Sequence, residues 1–177
     1  GALTGALNLR AAPPEDTGWT ASAGTMGGSF GTLGMRGRAA YASESAAVQL
    51  DANWRRSEGD FDYRDAQGDD HVRVNNDHTH LSLVAAGRFD LGDHELEPTL
   101  IFDGGASGMA GPSEFQDEFS EARVETVRTI GQLKWSSRSI SSGDWGVMDA
   151  HAAVGYQQRD TDYTNTNSYP GGARVDD

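Results

Sequence analysis

Hydrophobic and polar side chains alternate with a period of two along much of this chain. The clearest case is residues 46–55, in which Val48 and Leu50 alternate with Gln49 and Asp51. A period of two predicts a β-strand with one apolar and one polar face. Such a strand suits the core of a soluble β protein. It equally suits an outer-membrane barrel, in which the apolar side faces lipid and the polar side faces a wet lumen.

The alternation recurs in seven segments, most of them near the roughly 9–11 residues that a tilted membrane strand requires. The predicted strands are Trp19–Met26, Thr32–Tyr41, Ala46–Arg55, His78–Phe89, His94–Asp103, Arg123–Trp135 and Trp145–Gln157. Trp145 is out of phase with the residues that follow it, so the last strand requires a bulge or a later start. Helical spacing also fits part of residues 113–133, and we expect a helical turn near Glu114–Phe119 before the sixth strand.

The predicted connections are sorted by length. Turn-sized connections span residues 42–45, 90–93 and 136–144, and long polar ones span residues 57–77, 104–121 and 158–177. Residues 27–31 are a short exception on the long side. Turns on one rim and long loops on the other are typical of outer-membrane barrels.

Aromatic residues stand at both ends of the predicted strands. Those near the short turns are Trp19, Tyr41, Phe89, Trp135 and Trp145, and those near the long loops are Trp54, Phe102 and Tyr156. Two such belts predict two membrane interfaces, where amphipathic rings prefer to lie. The alternative interpretation is that these rings close the ends of a soluble β core.

Composition excludes several classes of function. A net charge of −13 argues against nucleic-acid binding, which requires a basic surface. No apolar run approaches the roughly 20 residues of a membrane-spanning helix. The absence of cysteine excludes disulfides and thiolate zinc sites. The Gly-Gly-Ser-Phe-Gly run at 27–31 matches a hydrolase nucleophile motif, but Gly34 and Gly37 follow it where that motif requires a helix. We therefore predict a glycine-rich hairpin and no enzymatic activity.

The start of the chain carries a resemblance to a known family. Residues 5–9 read Gly-Ala-Leu-Asn-Leu and precede Pro13-Pro14, which resembles the end of the plug domain of TonB-dependent outer-membrane transporters. Thr4 stands where members of that family often carry another glycine. The resemblance implies a last plug strand at 1–12, a linker at 13–18 and the N-terminal part of the barrel, with long extracellular loops, at 19–177.

The fold class predicted from the pattern and the resemblance is all-β. The chain would form an antiparallel transmembrane β-barrel in part, contributing about seven strands to a larger plugged barrel of roughly 22 strands. The chain is accordingly expected to be a fragment of a larger transporter.

The function implied by the resemblance is TonB-dependent active uptake of a scarce nutrient, such as siderophore-bound iron or cobalamin, across the bacterial outer membrane. The expected partners are outer-membrane lipid, a small-molecule or metal-chelate ligand, and TonB, which would bind segments outside this chain. No nucleic-acid partner is expected, and no cofactor other than a possible Ca²⁺ ion. Two alternatives stay open: a passive porin-like outer-membrane barrel and a secreted soluble β-sheet binding protein.

Candidate ligand-binding residues lie on the polar sides of the predicted strands. The lumen-facing candidates are Arg36, Arg38, Asp51, Asn53, Arg55 and His151, together with Gln49, Glu95 and Glu97. The candidate Ca²⁺ ligands in residues 57–77 are Asp60, Asp62, Asp69 and Asp70. Carboxylate oxygens suit Ca²⁺, although the spacing is not that of an EF-hand and a solvated acidic loop is the alternative. His78 and His80 share one side of a strand, a spacing compatible with a two-histidine metal contact.

Overall fold

All regular secondary structure in the described part of the chain is β. The structure, a computed structural model, describes residues 16–64, 67–110, 121–141, 147–165 and 175–176. The strands are β1 (Gly18–Gly28), β2 (Thr32–Ala42), β3 (Ala46–Ser57), β4 (Phe61–Arg64), β5 (Asp70–Arg73), β6 (His78–Asp90), β7 (His94–Gly108), β8 (Arg123–Ser141), β9 (Val147–Thr164) and β10 (Val175–Asp176). None of these residues form a helix long and apolar enough to cross a membrane.

Seven long strands form one antiparallel sheet in the order β1-β2-β3-β6-β7-β8-β9, and two residues of β10 pair with β9. Each long strand pairs with the next long strand in the chain, because turns or loops return the backbone beside itself. The prediction of an all-β antiparallel fold is confirmed. The sheet is not closed into a barrel, since β1 lies at one edge, β9 with the two residues of β10 lies at the other, and the two edges do not pair.

All seven predicted strands are present, and they differ from the prediction mainly in length. Strand β7 continues to Gly108, β8 to Ser141 and β9 to Thr164. The prediction of a turn at residues 136–144 is therefore wrong over 136–141, and so is the placement of residues 104–108 and 158–164 in loops. Polar side chains do not end a backbone ladder, so pairing continues beyond the stretch that alternates between apolar and polar.

The long connection between β3 and β6 contains a second, two-stranded sheet. Strands β4 and β5 pair antiparallel, with Tyr63 opposite His71 and Arg64 opposite Asp70. Gly68 adopts a positive φ of 93° in the turn between them, a conformation that favours glycine. The prediction of an irregular loop over residues 57–77 is therefore wrong in part.

Several predictions concern residues that the structure leaves undescribed. The plug strand at 1–12, residues 13–15 of the linker, the helical turn near Glu114–Phe119 and Trp145 all lie outside the described residues. A bulge or a later start was predicted for the last strand, and the described part of β9 begins at Val147. A register irregularity also occurs in this hairpin, between Ser137 and Ile140 of β8.

The strand register separates side chains onto two faces of the main sheet. Val48, Leu50 and Trp54 of β3 face the same side as their partners on β2 and β6, and we call this side the apolar face. The opposite side, which carries Gln49 and Asp51, is the polar face. Val48 is 41% exposed and Leu50 is 51% exposed, whereas Gln49 is only 8% exposed. The burial expected of a soluble protein is thus inverted on this strand.

No second layer of the described residues covers the apolar face. The buried hydrophobic residues are all alanines: Ala40, Ala42, Ala47, Ala86, Ala110 and Ala122. A soluble sheet instead packs one face on a core of large side chains.

Candidate functional site: the polar face and the long-loop rim

The polar face carries a dense set of charged and amide side chains in register. One row across the sheet pairs Arg36 with Asn53, Asn53 with Ser82 and Ser82 with Asp103, and it continues through Arg128. Neighbouring strands are about 4.8 Å apart, so side chains along such a row lie within reach of one another. These residues lie on the polar sides of their strands, as predicted, and the strand register brings them together on one surface.

A hydrogen-bonded cluster joins β2 to β3 on this surface. The Nη2 of Arg38 donates to Oε1 of Gln49 at 2.7 Å, and the side-chain amide of Gln49 donates to the carboxylate of Asp51. The Nε of Arg38 lies 3.8 Å from Oδ1 of Asp51. Gln49 is nearly buried with its polar atoms partnered, which avoids the cost of an unsatisfied amide. The side chain of Gln49 thus links Arg38 to Asp51 by hydrogen bonds.

A second pair joins β6 to β7. The Nε2 of His80 lies 2.9 Å from Oδ2 of Asp103, and both side chains are partly exposed. His78 lies two residues earlier on the same face, opposite Ser57. Among the described residues, no three histidine, aspartate or glutamate side chains are grouped to hold a metal ion. The contact of His80 is therefore with a carboxylate.

A shallow depression of about 430 Å³ opens on the polar face over β1, β2, β3 and β6. Its polar lining consists of Ser22, Arg36, Arg38, Asp51, Asn53 and Ser82. Four of the nine predicted lumen-facing residues, Arg36, Arg38, Asp51 and Asn53, thus line one depression, and Arg55 lies beside it on β3. His151 does not join them, because it lies on β9, opposite Ser136 of β8 and four strands away from β3. The predicted lumen-facing residues accordingly do not form a single site.

The end of the sheet that bears the long connections is held together by backbone hydrogen bonds, and we call it the long-loop rim. The carbonyl oxygen of Phe30, in the β1–β2 turn, accepts the N–H groups of Glu58 and Gly59 at 3.1 and 3.2 Å. It also accepts the hydroxyl of Ser57 at 2.9 Å. The side-chain amide of Asn76 donates to the carbonyl oxygen of Gly59 at 3.3 Å. The β1–β2 turn is thereby attached to the start of the β3–β6 connection, and Asn76 joins the end of that connection to its start.

An ion pair extends this attachment to the β7–β8 connection. Arg123 donates two hydrogen bonds to the carboxylate of Asp77, at 3.2 and 2.8 Å. The hydrogen bonds from Arg123 lower the pKa of the Asp77 carboxyl, because they favour its charged form. Asn75, at a positive φ of 57°, donates to the carbonyl oxygen of Ala122 at 2.8 Å, and Gly108 donates to the carbonyl oxygen of Asp77. Three connections thus share one hydrogen-bonded rim.

The predicted calcium ligands lie on or beside the β4–β5 hairpin. Asp70 accepts hydrogen bonds from Arg64 at 2.9 and 3.3 Å, so its carboxylate already has a cationic partner. Asp62 is on the same face of this hairpin, whereas Asp60 precedes β4 and Asp69 precedes β5. The structure shows no grouping of three acidic side chains in this described stretch.

Sequence reasoning missed an aromatic cluster on the other face of this hairpin. Ring centroids of Phe30 and Phe61 are 6.0 Å apart, those of Phe61 and Tyr63 are 6.5 Å apart, and Tyr63 stacks on His71 at 5.4 Å. These distances are those of favourable aromatic pairs. The alternation of Phe61 and Tyr63 with Asp62 and Arg64, followed by Gly68, is the signal that would have indicated the hairpin.

Comparisons of the chain with protein-family models, with curated proteins and with solved structures give no match. The similarity of residues 5–9 to the end of a plug domain therefore stays a prediction. Any functional inference depends on the residues and the geometry of this chain itself.

Proposed function

We propose that this chain is part of a TonB-dependent transporter that takes up a scarce nutrient across the bacterial outer membrane. The observation that carries the proposal is the exposed apolar face. From Trp19 and Tyr41 on one side to Leu133 and Val154 on the other, one register row presents only apolar or aromatic residues and glycine. Burying this face in hydrocarbon would supply the free energy that a soluble protein obtains from a core.

The apolar band also runs obliquely to the register rows, as tilted strands in a bilayer would require. On β2 the apolar band begins at Leu33, at the end nearest the long-loop rim. The register row of Leu33 leads across the sheet to Asp162 of β9, but the apolar band of β9 begins only at Tyr156. The band therefore descends by six residues over five strand-to-strand steps, or about one residue per strand. Barrel strands tilt by roughly 35–45°, so a level bilayer must cross the rows of a barrel at an angle. This stagger supports a sheet that belongs to a barrel wall.

Aromatic rings flank the apolar band, in agreement with a membrane location. Near the short turns, Trp19 packs on Tyr41 with ring centroids 5.0 Å apart, and Trp135 packs on His94 at 5.7 Å. Near the long-loop rim, Trp54 lies in register with Leu81 at the upper end of the band. Tryptophan and tyrosine prefer the interface between hydrocarbon and water.

In this proposal the polar face lines the lumen, and the long-loop rim faces the outside of the cell. Ligand would enter past the rim, contact the polar face and be released when a plug domain changes conformation. The energy would come from the inner membrane through TonB. A ligand can drive such a change only if it binds the two plug states with different affinities.

The alternatives require features that the described residues do not form. A small passive barrel must close on itself, whereas the described sheet is open. A soluble β-sheet binding protein must cover Leu50 and its neighbours with a second layer, and the described residues contain none.

Uptake in living cells tests the proposal. The full-length protein is expressed in a bacterium that lacks its own receptors, and accumulation of chelated radioactive iron and of cobalamin is measured with and without a protonophore. We expect one nutrient to accumulate, and the protonophore to abolish accumulation while surface binding persists. Accumulation that is indifferent to the protonophore would indicate a passive pore and contradict active transport.

A further inference from the structure

The upper half of the polar face, nearest the long-loop rim, has a charge opposite to that of the whole chain. The chain carries a net charge of −13. In the four register rows below the rim, however, the charged residues are five arginines and two aspartates: Arg36, Arg38, Arg55, Arg128, Arg159, Asp51 and Asp103. Both aspartates have partners, in Arg38 and His80. The excess positive charge of this surface is therefore uncompensated.

Three of these arginines, Arg36, Arg55 and Arg159, make no hydrogen bond or ion pair with any residue in the described part of the chain, and the first two are neighbours on β2 and β3. Arg36 is opposite Asn53, and Arg55 is two residues further along β3. The two are diagonal neighbours, which places their backbones about 7–8 Å apart. Arg36 is the register partner of Gly24 on β1. A Cβ added at position 24 would come within 3.0 Å of the Nε of Arg36. The glycine thus leaves the room that this orientation of Arg36 requires.

From this arrangement we infer that Arg36 and Arg55 bind a small soluble anion that bears carboxylate or phosphate groups. Guanidinium groups form paired, charge-assisted hydrogen bonds with both kinds of oxyanion. Asn53 lies between the two arginines, and Ser22 and Ser82 line the same depression, so amide and hydroxyl groups surround the cations. Two carboxylates of the rim, those of Asp70 and Asp77, are each paired with an arginine.

The inference deepens the proposed function, on which it rests, because it assigns the chemical class of the ligand that the lumen accepts. A molecule with two or three anionic groups spaced over several ångströms would span both arginines. Such a ligand gains affinity from each guanidinium contact, and it relieves the repulsion between two cations of like charge.

Arg56 provides a matched control. It follows Arg55 directly in sequence and has the same charge, but it lies on the opposite face of the sheet, in register with Leu33 and Thr79. Replacing either residue with glutamine removes one positive charge from β3. Only the replacement of Arg55 removes a charge from the polar face.

Calorimetric titration of the full chain in nonionic detergent tests the inference, since such micelles contain no headgroup phosphate. Citrate and pyrophosphate are titrated separately into the wild type, the double variant R36Q/R55Q and the control R56Q. We expect at least one of the anions to bind the wild type. The double variant should weaken that binding by tenfold or more, whereas R56Q should change it less than about twofold. Binding of one anion but not the other identifies the preferred group.

Failure of both anions to bind the wild type, or equal losses in R36Q/R55Q and R56Q, would overturn the inference. Circular dichroism of each variant establishes that the sheet is retained. Insertion of the wild-type protein into lipid vesicles is measured in parallel. A protein that binds anions but does not insert refutes the proposed membrane function alone, and one that inserts without binding anions refutes only the ligand class.

Discussion

Leu100 lies at the centre of the apolar stretch of β7 that runs from Leu96 to Gly104. Its register partners are Ala85 and Gly131, so small neighbours leave its side chain 52% exposed. The adjacent residue Thr99 lies on the polar face between Ala86 and Gln132. The substitutions Leu100→Arg and Thr99→Arg therefore place the same charge on opposite faces of one strand.

The free-energy cost of Leu100→Arg depends strongly on whether the apolar face lies in lipid or in water. At the midplane of a bilayer, an outward-facing arginine in a β-barrel destabilises the fold by about 2–4 kcal/mol. This corresponds to a roughly 30- to 900-fold change in the folded-to-unfolded ratio. If Leu100 instead faced water, an exposed substitution would change stability by only about 0.5 kcal/mol. Thr99→Arg should be tolerated in either case, because the polar face is wet.

Unfolding of the full-length protein in lipid vesicles by guanidinium chloride, followed by tryptophan fluorescence, measures both costs. We expect Leu100→Arg to lower the free energy of unfolding by about 2–4 kcal/mol and Thr99→Arg to leave it within about 0.5 kcal/mol of the wild type. Equal stability of the two variants would refute the assignment of the faces.

Two further predictions concern the long-loop rim. The pKa of Asp77 is lower in the folded than in the unfolded state, so the stabilisation by its pair with Arg123 is present above the unfolded value of about 3.9 and is lost as the pH falls through the folded pKa. The protection factors of the amide hydrogens of Gly108 and Met109, which correct for the intrinsic effect of pH on exchange, should therefore fall in strong acid, and Asp77→Asn should show low protection factors at neutral pH with little further change in acid. Gly59 has a φ of 72° and approaches the carbonyl oxygen of Asn76 closely, so Gly59→Ala should cost at least about 1–2 kcal/mol, whereas Gly68→Ala, where nothing lies within 4 Å of an added Cβ, should cost less. Loss of protease resistance in the β3–β6 connection measures this difference, and equal resistance of the two variants would contradict the close packing of the rim.

The strands could be located from the sequence alone, because the residue at which each alternating pattern begins can be recognised. Strands β2, β3, β6, β7 and β8 start at the predicted residues, each within three residues of the first apolar position of its pattern. The ends of β8 and β9 were not predictable in this way, because residues such as Gln158 and Asp160 continue the ladder while polar residues occupy both faces. The β4–β5 hairpin was missed because its two strands have only four residues each.

The sequence predicted on which face of the sheet most candidate residues lie, but it did not predict which residues they contact. Alternation places Arg36 and Asn53 on the polar side without knowledge of which strand is the neighbour. The pair of His80 with Asp103 depends on the register between β6 and β7, which no local pattern encodes. The same limit explains why His151 was grouped with residues that lie four strands away.

The most direct test of the central claim is a spin-label scan of β3. The chain has no cysteine, so single cysteines at positions 47 to 54 can be labelled without a background signal. Collision rates with oxygen, which concentrates in lipid, and with a water-soluble nickel complex are then measured in vesicles. We predict a period of two, with oxygen contact highest at positions 48, 50 and 52 and nickel contact highest at 49, 51 and 53. Nickel contact that is highest at position 50, or low contact with both agents there, would contradict an apolar face turned toward lipid.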